Sequence, residues 1–499
     1  MIRSAVLLLG CCLSLGVAAQ AQVAPATTGS TTQAVAPASD PARQALDAWL
    51  AAFNANDRRQ LEAFRNRYQP TMNVDDMLEF FQRTGGFRLL RREPSAIGSA
   101  QALLQEHDSD TVARIKATVQ AGKPLALDID ATQRPVDLRI PRLAQAAAID
   151  ALVAKADADA KRDAFSGVLL VARGDTVLLQ RAWGLADRDA RTPATMQTKF
   201  RLGSMDKMFT AVATLQLVQA GKLSLDGTVG QYLPAYPNAG IAKVTIRQLL
   251  THAGGTGDIF GPQFDQQRLS LKTHDDYVRL YGTRAPEFAP GSDYRYSNYG
   301  FVLLGDIIEH ASGQSYYDYV DQHVFKPAGM RDTGFLPEDV DVPARARAYT
   351  RQNAASPWTD AAATLPYRGT AAGGGYSTAG DLLKFAQALR KGTLLAPALQ
   401  AEMLRRQTPW YGYGFMVADE DGVPAYGHGG GAQGMNGELR IFPTLDEVVI
   451  ALANVDPQPA TRLVEYYQLR MPLQQGSGTP AVRAGRGGPA LLRSGTAPR

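Results

Sequence analysis

At 499 residues the chain is long enough for more than one domain, and 45% hydrophobic with 20% charged residues describes an ordinary folded protein, not a disordered one. The net charge of +4 equals the four arginines of the last stretch, Arg483, Arg486, Arg493 and Arg499, which holds no acid. The remainder is neutral, which argues against nucleic acid as a partner.

In chain order, Met1-Ile2-Arg3, an apolar run from Ala5 to Ala19 and the small-x-small site Ala19-Gln20-Ala21 read as an export signal over residues 1–21, cut after Ala21. The mature protein is then expected in the periplasm or outside the cell. A lipoprotein reading, with Cys11 as the processing site, needs an unusually short apolar run before the cysteine. Cys11 and Cys12 are the only cysteines and both lie inside the signal, so no disulfide and no cysteine metal ligand is expected in the mature chain. No later stretch approaches the ~18 apolar residues needed to span a bilayer. Residues 22–39, rich in Ala, Pro, Thr, Ser and Gln, read as a flexible leader.

Asp40-Pro41 supplies an N-cap and an N1 proline for a helix with Leu46, Trp49, Leu50 and Phe53 on one face. Two further helices follow, up to Gly85-Gly86. Then Ala113, Ile115, Ala117 and Val119 alternate with polar residues, as do Leu125, Leu127 and Ile129, which predicts antiparallel strands. Residues 40–140 therefore read as a small α+β unit, similar in element order to the ketosteroid-isomerase-like fold. It shows no convergent His/Asp/Tyr set, so docking on its neighbour is its expected role.

From Pro141 a helix with Leu143, Ile149, Leu152 and Val153 leads to a hairpin that turns at Arg173-Gly174-Asp175. A long helix-and-loop region reaches about residue 395. Strands at Gly437 to Phe442 and Glu447 to Ala453 precede a helix near Arg462 to Leu469. Residues 141–473 thus predict an antiparallel sheet closed by both chain ends with a helical domain inserted, and 474–499 a disordered tail.

Three motifs carry chemistry. Ser204-Met205-Asp206-Lys207 opens a helix that is apolar on nearly every side, where a lysine is out of place. Three residues apart, the two side chains share a face, and burial would leave Lys207 as an amine able to take the serine proton. The same spacing also fits an N-cap serine and a lysine that reaches solvent. Tyr296-Ser297-Asn298 lies before the apolar helix Phe301 to Ile308, and a nearby ammonium would make the Tyr296 phenol more acidic. Tyr236-Pro237-Asn238 fits the same pattern, but in a surface-like turn. In Tyr426-Gly427-His428-Gly429-Gly430-Gly431 dense glycines bring backbone close to another group, and His428 is expected on the lip of a cleft. As an isolated turn residue, His428 also has a purely structural reading.

Together the motifs resemble the serine β-lactamase and penicillin-recognising superfamily, in its class C β-lactamase-like serine hydrolase branch, where Ser-x-x-Lys, Tyr-x-Asn and Lys/His-x-Gly occur in this order. Ser204, Tyr296 and His428 stand 92 and 132 residues apart, which suits the family's inserted helical domain. Similarity extends to Leu249 through Gly255, Pro327 through Met330 with Thr333, and Gly373 through Thr378, and so spans roughly residues 145–470. The resemblance implies a β-lactamase/DD-peptidase-like α+β fold and an acyl-enzyme on Ser204. Lys207 and Tyr296 would share the base role, while Asn298 would hold Lys207 and the substrate amide. The N–H groups of Ser204 and Gly431 would form the oxyanion hole, and His428 would reach Tyr296 or a substrate carboxylate. No cofactor and no metal is implied, and His252 reads as structural.

Where the family's β-lactamases usually have Lys-Thr-Gly, this chain has His428-Gly429-Gly430, which looks more like the family's esterases and peptidases. A missing threonine at Gly429 would deprive a substrate carboxylate of a hydrogen bond. The expected activity is hydrolysis of an ester, amide or D-amino-acid peptide bond in a small molecule or short peptide. β-Lactamase proper, and a non-turnover sensor of cell-wall fragments or β-lactams, are the alternatives.

Overall fold

A computed structural model describes residues 40–352, 356–420 and 422–473; the signal 1–21, leader 22–39 and tail 474–499 read from the sequence lie outside them. The first helix, α1 (Pro41–Asn54), starts where Asp40 accepts from the Ala42 N–H with Pro41 at N1. With α2 (Arg58–Tyr68) and α3 (Val74–Thr84) it packs on a four-stranded antiparallel meander, β1 (Phe87–Glu93), β2 (Ser99–Glu106), β3 (Val112–Thr118) and β4 (Ala126–Thr132). Trp49, Phe53 and Phe87 stack at the centre of its own apolar core. β3 and β4 match the alternation seen in the sequence, whereas β1 and β2 were not expected. β1 is charged and its register slips between Leu89 and Arg91, while β2 is largely buried on both faces, so neither alternates cleanly.

The unit meets the rest of the chain through the loop between β2 and β3. Arg162 at 2.9 Å and Arg462 at 3.4 Å pair with Asp108, and Arg470 at 2.6 Å pairs with Asp110.

Beyond α4 (Gln145–Lys161), β5 (Gly167–Arg173) and β6 (Thr176–Trp183) form the expected hairpin, with Gly174 at φ +59° in its turn. The other strands come from the far end of the chain: β7 (Met416–Glu420), β8 (Val423–Ala432), β9 (Met435–Phe442) and β10 (Glu447–Ala453). The sheet is antiparallel in the order β7-β8-β9-β10-β5-β6, so the last strand pairs with the first and both chain ends close it. β5 is buried on both faces. Leu169 and Val171 pack with α4 and α7 (Pro459–Gln468), while Val168, Leu170 and Ala172 join the core of the inserted helical region. This is the α+β architecture expected from the motifs.

One expectation is corrected. The glycine run around His428 is not a turn before a strand; it is the strand β8 itself. Glycine has poor β propensity, so the run reads as a loop until its surroundings are known. A Cβ on Gly430 would lie 1.9 Å from the Leu202 carbonyl oxygen, and only a bare backbone fits there.

Candidate active site

Ser204 sits in a single 3₁₀ turn, Gly203–Asp206, that feeds the buried helix α5 (Lys207–Gln219), and the next long buried helix is α6 (Asn298–Ser312). Residues three apart eclipse in a 3₁₀ turn, which is why the Ser204 and Lys207 side chains meet. Gly203 is needed twice: its φ is +53°, and a Cβ there would lie 2.8 Å from the Gly431 nitrogen of β8. A Cβ on Gly430 would in turn come within 2.8 Å of the Ser204 nitrogen. The Ser204 and Gly431 N–H groups named from the sequence therefore lie along one tight seam between the serine turn and β8.

Lys207 is fully buried, and the reading in which it reaches solvent fails. Its Nζ lies 3.1 Å from Ser204 Oγ, 2.7 Å from Asn298 Oδ1 and 2.5 Å from the Ala372 carbonyl oxygen. Burial pushes its pKa down to about 7, against the opposing charges of Asp258 and Asp206. The Ala372 carbonyl belongs to the stretch Thr370 to Gly375, which wraps the serine turn: Gly374 N–H donates to the Gly203 carbonyl and Leu202 N–H to the Gly375 carbonyl. His274 secures that stretch from behind by accepting the Ala371 N–H at 3.0 Å.

Asn298 is the first residue of α6, with Ser297 capping the helix through the Gly300 N–H. Its Nδ2 donates to both oxygens of Asp258, at 3.0 and 3.2 Å, which turns Oδ1 toward Lys207. Tyr296 presents its ring face to Lys207, with Nζ 4.7 Å from the centroid. The side chain is partly exposed but its hydroxyl is buried and without a well-formed partner among the described residues. Burial pushes the phenol above the ordinary tyrosine range, with Ser204 pulling in the opposite direction. The expected acidification by Lys207 is thus reversed, because desolvation of a phenolate outweighs the help of a lysine that is itself half-neutral.

His428 departs furthest from expectation. It is fully buried and bonds neither Tyr296 nor open space. Its Nδ1–H donates to the Gly429 carbonyl at 2.5 Å and its Nε2 accepts from the Tyr411 hydroxyl at 2.8 Å. Burial and Lys207 hold its pKa down at about 3, so the ring is neutral at any working pH. Gly429 points the other way. Strand alternation directs its missing side chain to the opposite face, where a Cβ would lie 2.5 Å from Glu438 Oε2. A threonine there would not face Ser204, so the argument from a lost hydroxyl does not hold.

Tyr236 is not in a surface turn either. It is buried, its hydroxyl 2.9 Å from that of Tyr299, and its contacts do not include Lys207. Sequence reasoning missed Asp206, Asp258 and Tyr411. Asp206, fully buried and pushed up to about 8 by burial, accepts the Gly375 N–H at 2.6 Å. Neither Asp258 nor Tyr411 carries a local signal in the sequence. His252 accepts the Ser297 N–H through Nδ1 at 3.1 Å, and its ring lies 4.3 Å from that of Tyr296, tilted by 35°. No helix among the described residues is long and apolar enough to cross a membrane.

The Beta-lactamase family model matches residues 147–470. The PbpX protein of Bacillus subtilis is 33% identical over 263 residues, 52% of this chain and 63% of that protein, so the chain spans just under two thirds of its length. Esterase EstB of Burkholderia gladioli is 32% identical over 308 residues, covering 54% of this chain and 78% of the esterase. The crystal structure of a penicillin-binding protein from Bacillus halodurans is 30% identical at a TM-score of 0.58, covering 64% of this chain and 99% of that one.

Proposed function

The chain belongs to the Beta-lactamase family and is a serine hydrolase; from that premise we propose that it cleaves esters or amides, including D-amino-acid peptides, through an acyl-enzyme on Ser204. The observation that carries this reading is the set of bonds around Lys207. A neutral amine has two N–H donors and one lone pair. Asn298 Oδ1 and the Ala372 carbonyl are acceptors and take the two donors. The lone pair is left for the remaining neighbour, the Ser204 hydroxyl.

In the proposed cycle Lys207 takes the Ser204 proton as Oγ attacks the carbonyl carbon. The developing oxyanion lies between the Ser204 and Gly431 N–H groups, donors of a kind worth about 10²–10³ in rate each. Tyr296, kept protonated by burial, hands its proton to the leaving group and is reprotonated from Lys207. Water then repeats the sequence on the acyl-enzyme. The neutral, buried His428 offers no cation to a substrate carboxylate, and this disfavours anionic β-lactams as acyl donors. Similarity to esterase EstB supports an ester as one of the bonds cleaved.

The test is steady-state and burst kinetics on p-nitrophenyl butyrate, with the acyl-enzyme trapped by acid and located by peptide mass spectrometry. Turnover with the acyl group on Ser204, and its loss in a folded Ser204→Ala variant, is the expected result. A single equivalent of product would make the protein a sensor, and efficient cephalosporin turnover would make it a β-lactamase.

A further inference from the structure

The peptide unit that joins Gly430 to Gly431 has two working edges. Its N–H is one of the two oxyanion donors of the proposed cycle, and its carbonyl oxygen faces the other way, because a trans peptide sets C=O and N–H on opposite sides. That oxygen accepts from Asn436 Nδ2 at 3.0 Å. Asn436 is buried on β9, where it pairs with Gly431 of β8. Its Oδ1 accepts the Thr461 N–H at 3.0 Å, and its Nδ2 also donates to Thr461 Oγ1 at 3.2 Å. Thr461 Oγ1 spends its own proton on Glu438 Oε2 at 3.1 Å, which leaves a lone pair for Asn436. A carbonyl only accepts and a backbone N–H only donates, so the Asn436 amide has one possible orientation.

Thr461 is the third residue of α7, in the first turn, whose N–H groups have no partner within the helix. The N-cap residue, Gln458, makes no side-chain bond to that turn. Asn436 supplies the bond instead, from a strand. A head-to-tail series of dipoles results: the positive end of α7 points at Asn436 Oδ1, and Asn436 Nδ2 points at the Gly430 oxygen. The Gly431 N–H is the last member, and each member of such a series polarises the next.

We propose that Asn436 is a positioning residue for the oxyanion hole, which fixes the Gly430–Gly431 peptide and relays the field of the α7 N-terminus to the Gly431 N–H. The inference rests on the acyl-enzyme reading above and adds a residue to it. An oxyanion donor is effective because it is fixed before charge develops. Gly429, Gly430 and Gly431 have no side chains with which to fix their own peptides, and glycine is the least constrained residue. The bond from Asn436 supplies the restraint that the strand lacks.

The experiment measures acylation and deacylation separately on p-nitrophenyl butyrate, in the wild type and in Asn436→Leu, which keeps a similar volume without polar atoms. The oxyanion forms in both half-reactions, so both rate constants should fall by about tenfold, a part of the 10²–10³ that a whole donor is worth. The substrate concentration that half-saturates acylation and the pH midpoint should stay, since neither substrate binding nor Lys207 is altered. Infrared difference spectra with an isotope-labelled butyryl carbonyl give the direct reading: the acyl-enzyme ester stretch should move to higher wavenumber as the hydrogen bond to its oxygen weakens. Asn436→Ser, smaller and too short to span both bonds, is the second variant and should show the same pattern. Rate constants and a carbonyl band like those of the wild type, in either folded variant, would overturn the inference. So would a loss confined to the burst amplitude, or failure of both variants to fold, because Asn436 would then serve the fold alone. A wild type with no burst and no acyl group on Ser204 would instead remove the serine-hydrolase reading beneath it.

Discussion

Replacing Asp258 by Asn should move the pH dependence of ester hydrolysis to lower pH. With Lys207 held down at about 7 by burial, kcat/KM on a neutral ester is expected to rise through about pH 7 in the wild type and to level off above it, as free amine replaces ammonium. Asp258 works against that depression. Contacts of 2.7 Å and 3.0 Å at the two ends of the Asn298 amide set the spacing of carboxylate and amine. Allowing for the width of the amide, the charges lie within roughly 7 Å, where a unit charge is worth about 2 kcal/mol at an effective dielectric near 20. That corresponds to a shift of about one to two pH units. The ammonium is a cation, so removing a neighbouring anion disfavours it, and the variant keeps its base at lower pH. Asn also retains an acceptor for Asn298 Nδ2. Asp206, pushed up by burial, is the same in both proteins and so does not account for a difference between them. Initial rates on p-nitrophenyl butyrate, read where nitrophenol and nitrophenolate absorb equally, give the profile. A midpoint that stays put or moves upward would refute the assignment of Lys207 as the base under the influence of Asp258.

Tyr296→Phe should reduce turnover strongly, whereas Tyr236→Phe, which removes one buried bond to Tyr299, should cost only about 1 kcal/mol of stability and leave turnover intact; equal kinetic losses at both tyrosines would contradict the choice between them. Gly429→Thr should lose stability and ester hydrolysis together, because its Cβ would lie 2.5 Å from Glu438 Oε2 and overpacking typically costs about 1–3 kcal/mol. Thermal melts and parallel rates on a cephalosporin check this, and a selective gain on the cephalosporin would count against it. A chain starting at Pro141 should keep its specific activity on a small ester while melting at a lower temperature, since the ion pairs of Asp108 and Asp110 with Arg162, Arg462 and Arg470 are lost. If that chain folds but is inactive, the first 140 residues contribute to the site.

How much of this was legible in the sequence depended on whether a residue's role is local. Ser204 and Lys207 lie one turn apart, so their meeting follows from helix geometry. Asn298 enters only through the resemblance, as the last residue of Tyr-x-Asn. β5 and β10 read as apolar runs because strands buried on both faces are apolar throughout. By contrast β8 was hidden, since its glycines exist for the close approach of Leu202 and Ser204, which lie more than 200 residues away in the chain. His428 was misplaced for the same reason: once its strand is buried, its partner becomes Tyr411 and not the cleft. The facing direction of Gly429 is a matter of strand parity, which could not be assigned before the run was known to be a strand. Asp258 gave no pattern of its own, because its importance comes from Asn298, 40 residues later.

The substitution of histidine for the family's lysine at position 428 bears on how the proton moves. A second ammonium beside Tyr296 would lower its pKa and make a phenolate conceivable as the base. Here His428 is neutral, held at about 3, and burial raises Tyr296 instead. A phenolate in this setting would be a buried anion whose nearest compensating lysine is only half charged near pH 7, an arrangement that costs several kcal/mol. The free amine of Lys207 is already available near neutral pH and already directed at Ser204. In the proposed cycle the base role that the resemblance divided between two residues therefore falls to Lys207, with Tyr296 as the proton donor.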